Sequence, residues 1–355
     1  MHGLDPPKRV VIVDDARSIR AWLRVILNQN PRLIVVGEAA CAVSARQVIK
    51  ETAPDVVTLD IEMPEMNGLD FLDKLMRLHP LPVVMISGAT RAHSDTTFQA
   101  FSRGAVDCIL KPLRADDPLV HRDIAHRVLA AARRQAPYDQ AYRPVGAKAA
   151  PRARPQNQPL ILIGASTGGV NALEYILAGL HPNGPPVVIV QHMPAAFLGG
   201  FTDILNRKLP QDIGLATAAE PLETGQIRFA PSIDQHTEIY RENSTWACRF
   251  CRPDGKVLHC PSVDRLFASA ASHGADIIAV ILTGLGRDGA RGMQDLRRAG
   301  AVTIGQDAKT SVVYGMPRAA WEMGGVGRQV ALDDIAETVN MAAIKHNIKQ
   351  GEIGR

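Results

Sequence analysis

Short apolar runs alternate along this chain with segments in which apolar residues recur at three- and four-residue spacings. The runs occupy residues 8–13, 56–60, 83–87, 106–110, 160–163, 186–191 and 276–284. Helical spacing is clearest over residues 18–27, 69–78 and 170–177. Continuous apolar runs are typical of buried parallel strands, and the other spacing indicates amphipathic helices. The pattern therefore predicts an α/β fold with parallel sheets.

The 355 residues are more than one domain usually holds, and the chain has a natural break. Residues 133–158 are rich in Arg, Ala, Gln and Pro and carry a single acidic residue, Asp139. We predict a domain over 8–128, a linker over 129–158 and a second domain over 159–345. Both domains are expected to be doubly wound parallel-sheet folds, the first flavodoxin-like and the second a Rossmann-like three-layer α/β/α arrangement.

Charge, hydropathy and cysteine usage narrow the function classes. The net charge is +4, and its basic excess lies in the linker, so a nucleic-acid-binding domain is not indicated. No apolar run approaches the ~20 residues of a membrane span, and the first residues lack the apolar core of a signal peptide. Five cysteines, an odd number, suit reduced thiols. We expect a cytoplasmic protein without membrane insertion.

Cysteine and histidine also cluster once in the second domain. The residues are Cys248, Cys251, His259 and Cys260. They could be four zinc ligands, but their spacing matches no common zinc finger. A metal site there is therefore not favoured.

Ionisable and hydroxyl residues gather at the strand ends of the first domain. They are Asp14, Asp15, Asp60, Ser87 and Lys111. Three carboxylates at one sheet edge repel one another unless a divalent cation lies between them, and hard oxygen ligands suit Mg²⁺. We predict that Asp60 is the nucleophile toward a phosphodonor, that Asp15 binds the metal directly and that Asp14 acts through water or from the second ligand layer. Ser87 and Lys111 would contact the phosphoryl oxygens.

The segment 8–128 resembles the receiver domain of two-component response regulators. The resemblance is carried by residues 60–70, which read DIEMPEMNGLD, and by the pair Lys111-Pro112. It implies that a histidine kinase of a chemotaxis-type system is the phosphodonor for Asp60 and that the Glu62 carbonyl also binds Mg²⁺. It also implies a cis peptide bond before Pro112. One departure is Cys108, which stands where many receivers carry an aromatic switch residue.

Three strand ends of the second domain offer Ser166, His192 and Asp288. Ser166 lies in the small-residue turn GASTGG, which fits either acyl transfer or anion binding at a helix N-terminus. An anion site usually has a Lys or Arg nearby, and none lies between residues 160 and 181. A serine nucleophile needs an imidazole as base and an acid to orient that imidazole. Acyl transfer is favoured, with a phosphate or nucleotide binder and an inert partner-binding domain as alternatives.

The segment 160–344 resembles the catalytic domain of the chemotaxis protein-glutamate methylesterases, the CheB family. The matching stretches are GASTGG at 164–169, HMP at 192–194, RFAP at 228–231, PSVD at 261–264, ILTGLGRDG at 281–289 and GMP at 315–317. Departures from the family pattern lie at Cys260, where an arginine commonly precedes the proline, and at Tyr314.

This second resemblance implies hydrolysis of glutamate γ-methyl esters on methyl-accepting chemoreceptors, with deamidation of receptor glutamines in some members. It implies that Ser166 is the nucleophile, His192 the general base and acid, and Asp288 the residue that orients His192. Thr167 and the backbone N–H of Leu285 are candidates for oxyanion stabilisation. No cofactor is expected for ester hydrolysis. We further expect the receiver to cover the esterase site until phosphorylation of Asp60 shifts its conformation.

Overall fold

The computed structural model describes residues 6–88, 99–111, 117–133, 158–231, 234–254 and 259–353. The chain divides into two compact units, Met1–Asp139 and Gln140–Arg355. Each unit is built on one parallel sheet with helices packed against it. The predicted fold class, two parallel-sheet α/β domains, is confirmed.

The first unit contains a five-stranded parallel sheet in the order β2-β1-β3-β4-β5. Its strands are β1 (Lys8–Val13), β2 (Leu33–Ala39), β3 (Val56–Asp60), β4 (Val83–Ser87) and β5 (Asp107–Leu110). Its described helices are α1 (Arg17–Asn28), α2 (Ala42–Thr52), α3 (Gly68–Leu78) and α4 (Pro118–Ala132). This strand order is that of flavodoxin-like folds, whose ligands bind at the carboxyl ends of the central strands.

The apolar pattern explains most of these elements. Strands β3 and β4 are buried at every position, as expected for strands covered on both faces. Helix α3 begins where the Asn67 side chain accepts a hydrogen bond from the Asp70 N–H. Strand β2 lies at the sheet edge and is only partly buried, and it was not among the predicted strands although its first four residues, 33–36, are apolar.

The second unit contains a seven-stranded parallel sheet in the order β14-β13-β12-β6-β7-β9-β8. Its strands are β6 (Leu160–Ala165), β7 (Val187–Gln191), β8 (Asp212–Leu215), β9 (Gln226–Phe229), β12 (Ile277–Ile281), β13 (Val302–Gln306) and β14 (Arg328–Val330). Its helices are α5 (Gly169–Gly179), α6 (Ala195–Lys208), α7 (Val263–Ser269), α8 (Ala290–Arg298), α9 (Met316–Glu322) and α10 (Leu332–Ile353), with a 3₁₀ helix at Ala271–Asp276.

Strand β6 is the point at which the order of this sheet reverses. The chain continues from β6 to β7 on one side, and β12 pairs with β6 on the other side. A crevice opens at such a reversal beyond the carboxyl ends of the strands, and ligands bind there in doubly wound folds. Residues that follow β6, β7 and β12 are therefore brought to one place.

An antiparallel hairpin outside the main sheet was not predicted. It consists of β10 (His236–Glu242) and β11 (Thr245–Cys251). Its inner face adds Ile239, Trp246 and Cys248 to the hydrophobic core that includes α7. The hairpin thus packs against α7.

Three boundaries differ from the sequence predictions. The strand expected over 276–284 ends at Ile281, because the next residues form the turn that leads to Asp288. Helix α4 runs to Ala132, so the first residues of the predicted linker are helical. Helix α10 continues to Ile353, beyond the predicted domain end at 345.

Among the described residues, no helix is long and apolar enough to cross a membrane.

Candidate active site and phosphorylation site

Ser166 follows the last residue of β6 and lies between two other strand ends. Its N–H donates to the Thr283 carbonyl at 3.0 Å, which ties it to the segment after β12. On the other side, the His192 N–H donates to the Ala165 carbonyl at 2.9 Å, one residue before the serine. The half-buried Ser166 therefore stands at the sheet reversal, beside the residue that follows β7.

A close approach of backbones holds Ser166 against the turn after β12. A Cβ atom placed on Gly284 would lie 2.7 Å from Ser166 Cβ and 2.3 Å from Met316 Sδ. Contacts between non-bonded atoms at these distances are strongly repulsive. Only glycine therefore allows this turn to pack against the serine.

His192 and Asp288, which the sequence predicted to lie close together, form a hydrogen-bonded pair. His192 Nε2 lies 2.9 Å from Asp288 Oδ2 although 96 residues separate them in the chain. A carboxylate accepts hydrogen bonds, so Nε2 carries the hydrogen and Nδ1 of a neutral ring is the basic nitrogen. Nδ1 is buried and has no hydrogen-bond partner among the described residues. The His259 ring stacks on His192 with centroids 4.2 Å apart.

Asp288 is fixed by the first turn of α7. Its carboxylate accepts hydrogen bonds from the Val263 N–H at 2.8 Å, the Asp264 N–H at 2.9 Å and the Ser262 hydroxyl at 2.8 Å. Burial alone would raise the pKa of Asp288, but the hydrogen bond from His192 and these backbone donors outweigh it and hold the pKa well below the ordinary carboxyl value. Asp288 is therefore an anion that accepts from His192.

The two candidates for oxyanion stabilisation are Thr167, in the same turn as Ser166, and Leu285, in the turn after β12. Thr167 is buried, and its carbonyl accepts a hydrogen bond from the Thr283 hydroxyl at 2.9 Å. Leu285 follows Gly284 and is half-buried, and within the described ranges its N–H donates to no backbone carbonyl. Thr167 therefore adjoins Ser166 in the chain, and Leu285 follows the glycine that packs against Ser166.

Gln191 is a residue at this site to which the sequence reasoning assigned no role. It ends β7, is 3% exposed and donates through Nε2 to the Ser166 and His192 carbonyls, each at 3.0 Å. The available signal was its place immediately before His192, where a buried amide interrupts an otherwise apolar strand. Polar residues at buried strand ends need partners, and here the partners are the two site residues themselves.

The carboxyl edge of the first unit also gathers the residues predicted for it. Ligand oxygens of Asp14, Asp15 and Asp60 lie within 4.8 Å of one another, and they form the one potential metal cluster found among the described residues. Asp14 and Asp60 are buried, whereas Asp15 is exposed. The suggested cluster of Cys248, Cys251, His259 and Cys260 is thus not brought together as a metal site.

Lys111 bridges two of these carboxylates. Its Nζ lies 2.8 Å from Asp14 Oδ2 and 2.7 Å from Asp60 Oδ2. Burial raises the pKa of Asp60, and the hydrogen bond from Lys111 only partly offsets this effect. The pKa of Lys111 is raised as well, because its bonds to the two carboxylates outweigh the opposing effect of burial. The lysine therefore stays cationic beside Asp60.

The remaining predicted residues, Ser87 and Glu62, lie at or just after the ends of the neighbouring strands β4 and β3. Ser87 ends β4 and is fully buried, with its hydroxyl donating to the Gly88 carbonyl at 3.2 Å. Glu62 is exposed in its side chain, and its backbone N–H bonds to Asp60. A Cβ on Gly68 would lie 1.9 Å from the Asp60 carbonyl oxygen, so only glycine allows this loop to close over the strand end.

Two further features concern the resemblance to receivers. Pro112 and the peptide bond before it lie outside the described residues. Cys108 is buried at the position expected for an aromatic switch residue, and its carbonyl accepts a hydrogen bond from Arg127 at 2.9 Å. Arg127 also bonds to Asp107, which fixes α4 against β5.

Comparison with known proteins identifies both units. A family model described as CheB methylesterase matches residues 161–339, and one described as response regulator receiver domain matches residues 10–122. A protein from Agrobacterium fabrum named protein-glutamate methylesterase/protein-glutamine glutaminase is 45% identical over 93% of this chain and 95% of its own length. One from Caulobacter vibrioides with the same name, numbered 1, is 43% identical over 93% of this chain and 96% of its own length.

A solved structure supports the identification of the second unit. The crystal structure of the Thermotoga maritima CheB methylesterase catalytic domain has 30% sequence identity and a TM-score of 0.50, and the match covers 52% of this chain and 98% of that one. Relatives at more than 40% identity over nearly the whole chain include the receiver and the catalytic unit together. The chain therefore belongs to the CheB methylesterase family, with a response regulator receiver domain ahead of its catalytic domain.

Proposed function

We propose that this protein hydrolyses glutamate γ-methyl esters on methyl-accepting chemoreceptors and that phosphorylation of its receiver domain regulates this activity. The observation that carries the esterase proposal is the His192–Asp288 pair at 2.9 Å, which leaves the basic Nδ1 unpartnered at the strand end beside Ser166. The names of the relatives support the substrate class.

The reaction begins with attack of Ser166 Oγ on the γ-carbonyl carbon of the methyl ester, while His192 Nδ1 takes the hydroxyl proton. The Leu285 N–H and the Thr167 turn stabilise the negative charge that develops on the carbonyl oxygen. Collapse of the tetrahedral intermediate breaks the bond to the methoxy group, which leaves as methanol with the proton from His192. The product is a γ-glutamyl ester of Ser166.

Water then completes the cycle. His192 Nδ1 takes a proton from the attacking water, and the second tetrahedral intermediate releases the γ-carboxyl group and returns the proton to Ser166 Oγ. Asp288 remains ionised throughout, since its role is to keep the hydrogen on Nε2 and to stabilise the imidazolium. His192 thus acts first as base and then as acid in each half of the reaction.

Deamidation of receptor glutamines is a second candidate activity of the same site. The relatives are named for both activities, and a glutamine forms the same acyl-enzyme with ammonia as the leaving group. We expect ammonia release from receptors that carry glutamine at the methylation positions, and its loss in Ser166→Ala. Ammonia release that persists in Ser166→Ala while methanol release disappears would assign the two activities to different sites.

In the receiver, Asp60 accepts the phosphoryl group from a histidine kinase of a chemotaxis system. The Asp14, Asp15 and Asp60 carboxylates would hold Mg²⁺, because their oxygens lie within 4.8 Å of one another and hard oxygen ligands suit this ion, and the Glu62 carbonyl would complete the set. The bound ion would supply charge neutralisation for the phosphoryl oxygens. Lys111 and Ser87 contact the same oxygens. Lys111 Nζ already lies 2.7 Å from Asp60 Oδ2.

The function is tested by time-resolved methanol release from methylated receptor membranes, with and without a small phosphodonor such as acetyl phosphate. We expect a basal rate that rises on phosphorylation. A domain that only binds a partner, or a Ser166 turn that only binds phosphate, predicts no methanol release in either condition.

Asp60→Asn tests the regulatory half. The variant keeps the size of the side chain but removes the nucleophilic carboxylate, so it should retain basal methanol release and lose the response to phosphodonor. The matched control is Asp55→Asn, since Asp55 lies before β3 and bonds to Arg9 and Lys8 instead. A normal phosphodonor response in Asp60→Asn would contradict phosphorylation at this residue.

A further inference from the structure

The hydrogen-bond ladder between β6 and β7 ends at the two candidate catalytic residues, Ser166 and His192. The last hydrogen bond between these strands runs from the His192 N–H to the Ala165 carbonyl. Beyond it, Gln191 Nε2 donates to the Ser166 and His192 carbonyls, each at 3.0 Å. The Ser166 carbonyl also accepts from the Gly169 N–H at 2.7 Å. One side-chain amide therefore joins the two main chains beyond the last ladder bond, at the point where Ser166 and His192 must be held at a fixed separation.

We propose that Gln191 is a positioning residue for catalysis, because its amide fixes the Ser166 and His192 main chains relative to each other. The proposal rests on the proposed function of these two residues. The orientation of the amide is determined, since the reversed amide would direct Oε1 at two carbonyl oxygens. The Gln191 amide donates to main-chain carbonyls, so it acts on catalysis through Ser166 and His192.

The packing around the amide leaves it no alternative position. Gln191 is 3% exposed, and its Oε1 is buried without a hydrogen-bond partner among the described residues. A Cβ added to Gly169 would lie 2.2 Å from this Oε1, so the first residue of α5 is packed directly against the amide. A side chain confined in this way holds its two acceptors at a constant distance.

The same domain contains a matched control. Gln211 is also 3% exposed, donates through Nε2 to two carbonyls, those of Leu177 and Leu180 at 3.0 and 3.1 Å, and has a buried Oε1 without a partner among the described residues. Its acceptors lie at the end of α5, away from the strand ends. Gln191→Met and Gln211→Met therefore remove equivalent bonds and differ in whether those bonds join Ser166 to His192.

The experiment measures methanol release by the full-length wild type, Gln191→Met and Gln211→Met, with the folded fraction of each obtained from near-UV circular dichroism. We expect kcat per folded molecule to fall about 10²-fold in Gln191→Met, because a small misplacement of reacting groups has an effect of this size. KM should change little. Gln211→Met should keep the wild-type kcat per folded molecule even if its melting temperature falls. Gln191→Asn, whose shorter side chain cannot reach both carbonyls, provides the same test if Gln191→Met does not fold.

Equal kcat per folded molecule in the wild type and the Gln191 variants would overturn the proposal, as would an equal loss in Gln211→Met. An inactive wild type would instead count against the esterase function itself.

Discussion

Replacing Ser166 with alanine is expected to lower the rate of methanol release by about 10⁶-fold, the loss typical of a removed serine nucleophile. Without Oγ no acyl-enzyme forms, and a water molecule must attack the ester without the proximity that a covalent nucleophile has. Any residual rate would come from substrate binding and oxyanion stabilisation. Methanol release from methylated receptor membranes measures the effect directly.

Two controls separate this loss from misfolding. Ser269→Ala removes another half-buried hydroxyl of the same domain, one that bonds to the Ile239 N–H and the Leu266 carbonyl, and it should retain activity. Phosphorylation of Asp60 in Ser166→Ala should remain normal, because the receiver is a separate compact unit. Wild-type methanol release by Ser166→Ala would refute the assignment of the nucleophile.

Asp288→Asn is expected to lower kcat by about 10⁴-fold, since an amide at this position no longer holds the hydrogen on His192 Nε2. The effect should include a structural part. The carboxylate accepts from four groups, His192, Ser262, Val263 and Asp264, and an asparagine has one acceptor oxygen and would direct its NH₂ at some of these donors. The start of α7 should therefore loosen, and the melting temperature should fall.

The matched control is Asp264→Asn, which makes the same change in a neighbouring carboxylate that bonds to the Gly292 N–H. Burial raises the pKa of Asp264, so this group is easier to neutralise, and we expect a far smaller loss of kcat. Similar losses in the two variants would show that the effect of Asp288→Asn is only structural.

The depressed pKa of Asp288 also gives a signed pH effect on stability. A carboxyl whose pKa is lower in the folded state stabilises that state above its unfolded pKa of about 4 and loses this contribution as the pH falls toward the folded value. The difference in melting temperature between the wild type and Asp288→Asn should therefore narrow below about pH 4. A difference that is constant with pH would mean that ionised Asp288 does not stabilise the fold.

The sequence predicted the central strands and the residues at their ends, because both depend on local pattern. Strands β3, β4 and β6 are buried at every position, β1 is buried from Val10 onward, and their buried parts consist mainly of apolar residues. Parallel strands place their carboxyl ends at one edge, so residues that follow such runs converge whatever their distance along the chain. This argument correctly brought His192 and Asp288 into contact.

Other features depend on tertiary contacts that leave no local signal. The hairpin of β10 and β11 packs outside the main sheet, and its strands mix apolar with polar residues, so neither contains a continuous apolar run of the kind used to predict strands. The role of Ser262 arises only because the start of α7 points at Asp288, and the role of Gln191 only because two strand ends share its amide. The choice of Nδ1 as the base likewise follows from ring orientation, which the sequence does not encode.

The central claim is that turnover passes through an ester of Ser166. Its most direct test is to quench the reaction of wild-type enzyme with methylated receptor in acid during turnover, digest both proteins and locate by mass spectrometry any receptor peptide attached to the enzyme through a glutamate γ-carbonyl. We predict an adduct on the peptide that contains Ser166, formed together with methanol and lost as turnover ends. An adduct on a different residue would contradict the account.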